Sequence, residues 1–227
     1  MRSIDKLAVD FDPGVKGNDI VAIFQCPGRE ERDAKPHPHP AAGETGRHLE
    51  LILSKVKMAL EGTESDGYDV NMFYYDHKNP KQGIMIANTF PDVYFGKKRP
   101  PHEVACNHIG FVSRAICQKR LVLCFGSYAE RCYERILMAN CCESMCLEQV
   151  VVKCCHLSDS ALQTQIRHDV EGNVIKDSPS KQRMAKRLNV VSSYIHGRLT
   201  GEIDDSCTFA RFLAKLKCDK CCRCSRS

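Results

Sequence analysis

The chain has 227 residues, 43% of them hydrophobic, with a formal net charge of +5 and fifteen cysteines. That length suits one large domain, or a domain with a short tail, and the apolar fraction supplies an ordinary core. There is no run of eighteen apolar residues and no apolar leader after Met1, so no membrane span, no export and a cytoplasmic location are expected.

The first element is Asp19 to Cys26 (DIVAIFQC), a short apolar run stopped by Pro27-Gly28, and it reads as a buried strand. A proline-rich loop follows. Thr45 and Gly46 open a helix to about Leu60, with Leu49, Ile52, Leu53, Val56 and Leu60 at helical spacing. Ile84 to Ala87 is a second buried strand, followed by a basic loop from Pro91 to Pro101. His102 to Cys117 reads as a helix and Leu121 to Phe125 as a third strand ended by Gly126. Ser127 is the expected N-cap of a helix from Tyr128 to Met138. Glu148 to Cys154 is the fourth strand. The polar stretch His168 to Ser180 reads as an exposed loop, and helices are expected from Ser180 to Leu199 and from Phe209 to Leu216.

Continuous apolar strands separated by helices predict a parallel sheet covered on both faces. The expected fold is a three-layer α/β/α sandwich with a central four-stranded parallel sheet. Its domain would span residues 1–206, with a basic, cysteine-rich segment at 207–227. That segment holds six Lys/Arg and one acid, the whole net positive excess of the chain, so it is a candidate phosphate-binding element or a solvated tail. Ligands of such sheets bind beyond the carboxyl ends of the strands. Pro27, Asn88, Gly126 and His156 all fall there or one or two residues beyond.

These segments resemble the uracil-DNA glycosylase superfamily, most closely its family 4-like branch. The branch pattern GEAPG, then PFVGxAGxxL, is matched by Phe24-Gln25-Cys26-Pro27-Gly28 and by Pro40-Ala41-Ala42-Gly43-Glu44-Thr45-Gly46-Arg47-His48-Leu49. Its TNxxKCRPP element is matched by Ala87-Asn88-Thr89-Phe90-Pro91, its LGxxA strand by Leu121 to Ala129, and its HPS element by His156-Leu157-Ser158. The similarity covers about residues 19 to 165. It implies the same sandwich and an enzyme that binds DNA, flips out a base and hydrolyses its glycosidic bond; a monomer without a cofactor is expected. Three departures stand out. The glutamate of GEAPG is Gln25, the aromatic of PFVG is Ala41, and the proline of HPS is Leu157. The branch's early iron–sulfur cysteine pair is also missing, because the first cysteine is Cys26, so no cluster bound in that way is expected.

Breaking an N-glycosidic bond puts positive character on the sugar and negative charge on the leaving base. The resemblance implies that His156 bonds the departing pyrimidine's oxygen and that Asn88, with a donor and acceptors, reads its edge. Gln25, Cys26, Pro27 and Gly28 would wall the water and phosphate side. Gln25 orients water but takes no proton, so Glu30, Glu31 or Asp92 is the candidate for activating it. Ala41 predicts a pocket wider than uracil needs, unless Phe90 or Tyr94 supplies the missing stacking ring. A wide pocket would suit a bulkier modified pyrimidine, including one in phage DNA. Leu157 or Leu162 would wedge into the duplex, with packing inside the loop as the equal alternative. Ser158 and the cluster Lys97, Lys98 and Arg99 would contact phosphates, though a turn serine and a solvated charge cluster are the plainer readings.

Cys26, Cys124 and Cys154 sit in apolar strands and are expected to be free thiols. Cys218, Cys221, Cys222 and Cys224 form a CxxCCxC tail, for which zinc binding, with Cys141, Cys142 and Cys146 as further ligands, and a reduced tail are both open. Two other functions are carried beside the glycosylase. One is a catalytically inert nucleic-acid binder of the same fold, favoured by Gln25. The other is an α/β enzyme acting on free nucleotides, weakened by the lack of a P-loop, a dinucleotide-binding glycine pattern and a nucleophile elbow.

Overall fold

The structure, a computed structural model, describes residues 19–26, 41–61, 70–78, 84–90, 109–110, 112–117, 119–139 and 149–224, with the backbone alone for 218–224. Its centre is a four-stranded, all-parallel sheet in the order β2-β1-β3-β4. The strands are β1 (Ile20–Phe24), β2 (Met85–Asn88), β3 (Leu121–Phe125) and β4 (Val150–Cys154). The helices are α1 (Glu44–Glu61), α2 (Ser127–Met138), α3 (Asp159–Gln165), α4 (Ser180–Leu199) and α5 (Phe209–Cys224).

Alternation along each strand divides the core into two layers. Ile20, Ala22 and Phe24 face one side, where they join Leu49, Ile52 and Leu53 of α1 and Val191 and Ile195 of α4. Val21 and Ile23 face the other, with Ala129, Cys132 and Ile136 of α2 and with Val112 and Ile116 from the helical residues 112–116. β1 and β3 are buried along their whole length. Buried on both faces, they need the near-continuous apolar runs seen in the sequence. The protein is therefore a three-layer α/β/α sandwich, as the alternating strand and helix pattern predicted.

Local differences have physical reasons. Ser127 is the first residue of α2 and not its cap; Gly126 holds that position at φ 92 and makes no side-chain cap. The stretch 168–180 is largely exposed, as expected, but it is tied down at Asp169. Asp169, 5% exposed, accepts the backbone N–H of Glu171 and Asn173 and the ammonium of Lys186, and a short 3-10 turn follows at Ile175–Asp177. α3 was not foreseen, because seven residues carry too little periodicity. The segment from Cys207 is packed onto the sandwich. The Tyr194 hydroxyl donates to the Cys207 carbonyl at 2.8 Å, and Phe209 and Phe212 lie against the Tyr194 ring. α5 also runs past Leu216, to Cys224. Among the described residues no helix is long and apolar enough to cross a membrane.

Candidate functional site at the carboxyl ends of the strands

In this strand order the chain leaves β1 for β2 on one side and reaches β3 on the other, so the crevice opens between the tips of β1 and β3. Phe24 and Phe125, the last residues of those strands, stack with ring centroids 5.1 Å apart. The His156 ring meets Phe24 edge-on at 6.3 Å. Gly126 permits this approach. Its N–H donates to the Cys154 carbonyl at 2.8 Å, and a Cβ there would lie 3.3 Å from His156 Cβ. Its φ of +92° also favours glycine.

His156 is half-buried, and burial lowers its pKa. The backbone N–H of Ser158 donates to its Nδ1 at 3.1 Å. In the neutral ring the proton therefore sits on Nε2, which is left as a donor. The next residue, Leu157, accepts a bond at its carbonyl from His48 Nδ1 at 2.8 Å, which fastens this loop to α1.

The β2 end is tied to β1 by three bonds. Thr89 N–H donates to the Phe24 carbonyl, and Phe90 N–H and the Thr89 hydroxyl both donate to the Gln25 carbonyl. Asn88 is 2% exposed and its Nδ2 has no hydrogen-bond partner. An orphaned buried donor costs about 1–3 kcal/mol and calls for an explanation. Phe24 stands between the two predicted site residues, paired with Asn88 in the sheet and touching His156 by its ring.

A groove of about 1110 Å³ starts at these tips and runs beside β4. Gln25, Gly126, Tyr128 and His156 line its upper end, and Lys153, Tyr194, Arg198 and Phe209 line its length. Two of its cations are already paired: Lys153 with Glu134 at 2.7 Å and Glu130 at 3.5 Å, and Arg198 with Asp205. Arg131 lies 5.9 Å from the centroid of the Tyr128 ring.

Gln25 and His156 thus share one groove, and Asn88 lies at the same end of the sheet but does not line it. Phe90 is fully buried with its ring against Tyr128 at 5.5 Å, so it offers no open stacking face here. Ala41 does not widen the groove. It is 2% exposed within the core, at φ 51, and its carbonyl accepts the Tyr75 hydroxyl at 3.2 Å. Neither wedge candidate projects: Leu157 and Leu162 are both fully buried in the core, held there by their apolar side chains. Cys26 and Ser158 are half-buried, the latter with its hydroxyl 3.4 Å from that of Ser160. Pro27, Gly28, Glu30, Glu31, Asp92, Tyr94, Lys97, Lys98, Arg99, Cys141, Cys142 and Cys146 lie outside the described residues, as do the side chains of Cys218, Cys221, Cys222 and Cys224.

Cys26, Cys124 and Cys154 are free thiols, and burial raises the pKa of the last two. Cys155, one residue before His156, is pushed up to about 12 by burial, which leaves it a poor nucleophile. Two side-chain groups among the described residues have metal-ligand geometry: Glu44, His48 and Asp159, and Glu50, Asp76 and His77. Sequence reading missed Phe24, Phe125, Tyr128 and His48. The first two look like ordinary strand residues, and His48 looks like one more position on an amphipathic helix.

Comparison with known proteins finds no matching family model and no matching curated protein.

Proposed function

We propose that the protein is a monofunctional DNA glycosylase of the uracil-DNA glycosylase type, which everts a pyrimidine and releases it by hydrolysis. One observation carries this reading. A neutral His156, fixed in one tautomer by the Ser158 N–H, stands at the tip of the sheet in the same groove as Gln25. A neutral Nε2–H donor near a departing base stabilises the negative charge growing on its oxygen without carrying a charge of its own. Gln25 would hold the attacking water by its amide, and water would supply the hydroxyl that ends on the sugar. Asn88, with its unpartnered buried Nδ2, would read the base edge after entry. The exposed Arg211, Lys215 and Lys217 of α5 are suited to the phosphate backbone.

The test is incubation of the full chain with single- and double-stranded DNA carrying uracil and a panel of modified pyrimidines, followed by alkaline cleavage. Strand breaks at one base class, lost in His156→Ala, are expected. The absence of a general base at Gln25 favours a second reading, a binder of the same DNA that does not cut it. Tight, base-dependent binding without abasic sites would establish that reading in place of the first.

A further inference from the structure

We infer that His48, Asp159 and Glu44 form a binding site for one divalent metal ion, which clips α1 to the loop carrying His156. The inference does not rest on the glycosylase reading. It starts from His48, which is 1% exposed on the inner face of α1. Its Nδ1 stands 2.8 Å from the Leu157 carbonyl oxygen. A carbonyl can only accept, so Nδ1 carries the proton and the lone pair of the neutral ring is on Nε2. That atom is buried, has no hydrogen-bond partner, and faces Asp159 Oδ1 at 3.6 Å. The Asp159 oxygen is also buried and also without a hydrogen-bond partner.

Two desolvated acceptors facing one another is an unfavourable arrangement, and a cation between them satisfies both. The spacing agrees. Two ligands each about 2.1 Å from a tetrahedral ion stand ~3.4 Å apart, near the separation seen and longer than a hydrogen bond. The Glu44 carboxylate supplies a third ligand, and the three ligand atoms lie within 4.8 Å of one another. A metal-bound histidine commonly donates its other N–H to a backbone carbonyl, and His48 does so. One imidazole and two carboxylates suit zinc or manganese. Glu44 also meets Arg47 at 3.1 Å and Arg187 acts electrostatically on Asp159, but neither arginine is hydrogen-bonded to the orphaned oxygen.

The competing account is a protonated His48 paired with Asp159. That account needs a hydrogen bond across 3.6 Å, longer than one spans. The second cluster shows the contrast: His77 Nδ1 is already bonded to Glu50 Oε2 at 2.5 Å, so that pair asks for no ion.

Manganese(II) is the probe, because thiols compete for it far less than for zinc. The full chain, kept reduced, is titrated while free Mn²⁺ is followed by electron paramagnetic resonance and thermal stability is read in parallel. One ion per chain and a rise in Tm are expected. Asp159→Asn and Glu44→Gln should each weaken binding by about tenfold or more and remove the Tm rise. Their side chains are 44% and 51% exposed, so both variants should fold. His48→Gln, where it folds, should abolish binding. Failure of the wild type to bind stoichiometrically, or binding unchanged in Asp159→Asn, would overturn the site and leave a plain ion pair. DNA cleavage enters neither readout, so failure here and failure of the glycosylase reading are separate results.

Discussion

The amino and carboxyl ends of the sheet treat their polar groups differently. At the amino end the groups that join the strand entries are paired, although Arg198 Nε and His196 Nε2, in the last turns of α4, are buried without a hydrogen-bond partner. The Asp19 carbonyl accepts from both Arg120 N–H and Leu121 N–H, and the Arg120 carbonyl accepts from Val150 N–H. The Gln149 amide donates to the carbonyls of Ile116 and Lys119, and its oxygen accepts the Tyr133 hydroxyl. At the carboxyl end Asn88 Nδ2, His48 Nε2 and Asp159 Oδ1 are buried without hydrogen-bond partners, and Gly126 sits at positive φ. One end is built to close the sandwich. The other gathers three of the five orphaned buried atoms among the described residues beside a positive-φ turn, and such groups persist where a ligand or ion answers them.

The comparison breaks if substitutions at the two ends have the same kind of effect. The largest separation is expected for His156→Ala. Excision should fall on the order of a thousandfold, as for loss of a donor to developing charge, while a denaturant midpoint shows little change. Gly126→Val should cost about 1–3 kcal/mol of stability through its positive φ, and it should also slow excision by displacing His156. Chemical denaturation beside the cleavage assay separates the two effects. Gln149→Ala at the amino end should cost about 2 kcal/mol by stranding its partners, with the excision rate per folded molecule unchanged. A large activity loss there would contradict the division of labour. Asn88→Ala should impair discrimination between bases yet leave stability equal or about 1 kcal/mol higher, since an orphaned donor is removed.

The smallest effect concerns pH. Burial lowers the His156 pKa, so the folded state gives up that proton more readily than the unfolded chain. Its contribution to stability is complete above the ordinary value of 6.5 and is lost as pH falls through the lowered folded value. His156→Ala should therefore flatten the acid limb of a stability–pH curve.

The strands were legible because β1 and β3 are buried on both faces and must be apolar throughout, whatever surrounds them. α1 was legible because a helix against a sheet needs one apolar stripe, and Leu49, Ile52, Leu53 and Val56 supply it. The placement of Gln25, Asn88 and His156 at one end of the sheet followed from parallel topology alone. Other matters depended on neighbours distant in the chain. Leu157 and Leu162 lie in a polar stretch that leaves a wedge and loop packing equally open, and the core takes them in. Ala41 read as an open wall, yet Tyr75 and Gly46 enclose it: a Cβ on Gly46 would fall 1.6 Å from the Ala41 carbonyl oxygen. His48 and Asp159 are 111 residues apart in number, and only the packing of α1 against the loop after β4 brings their bare acceptors together. Local pattern fixes which face of an element is apolar; the cost of leaving a polar atom unpartnered is settled only when the elements meet.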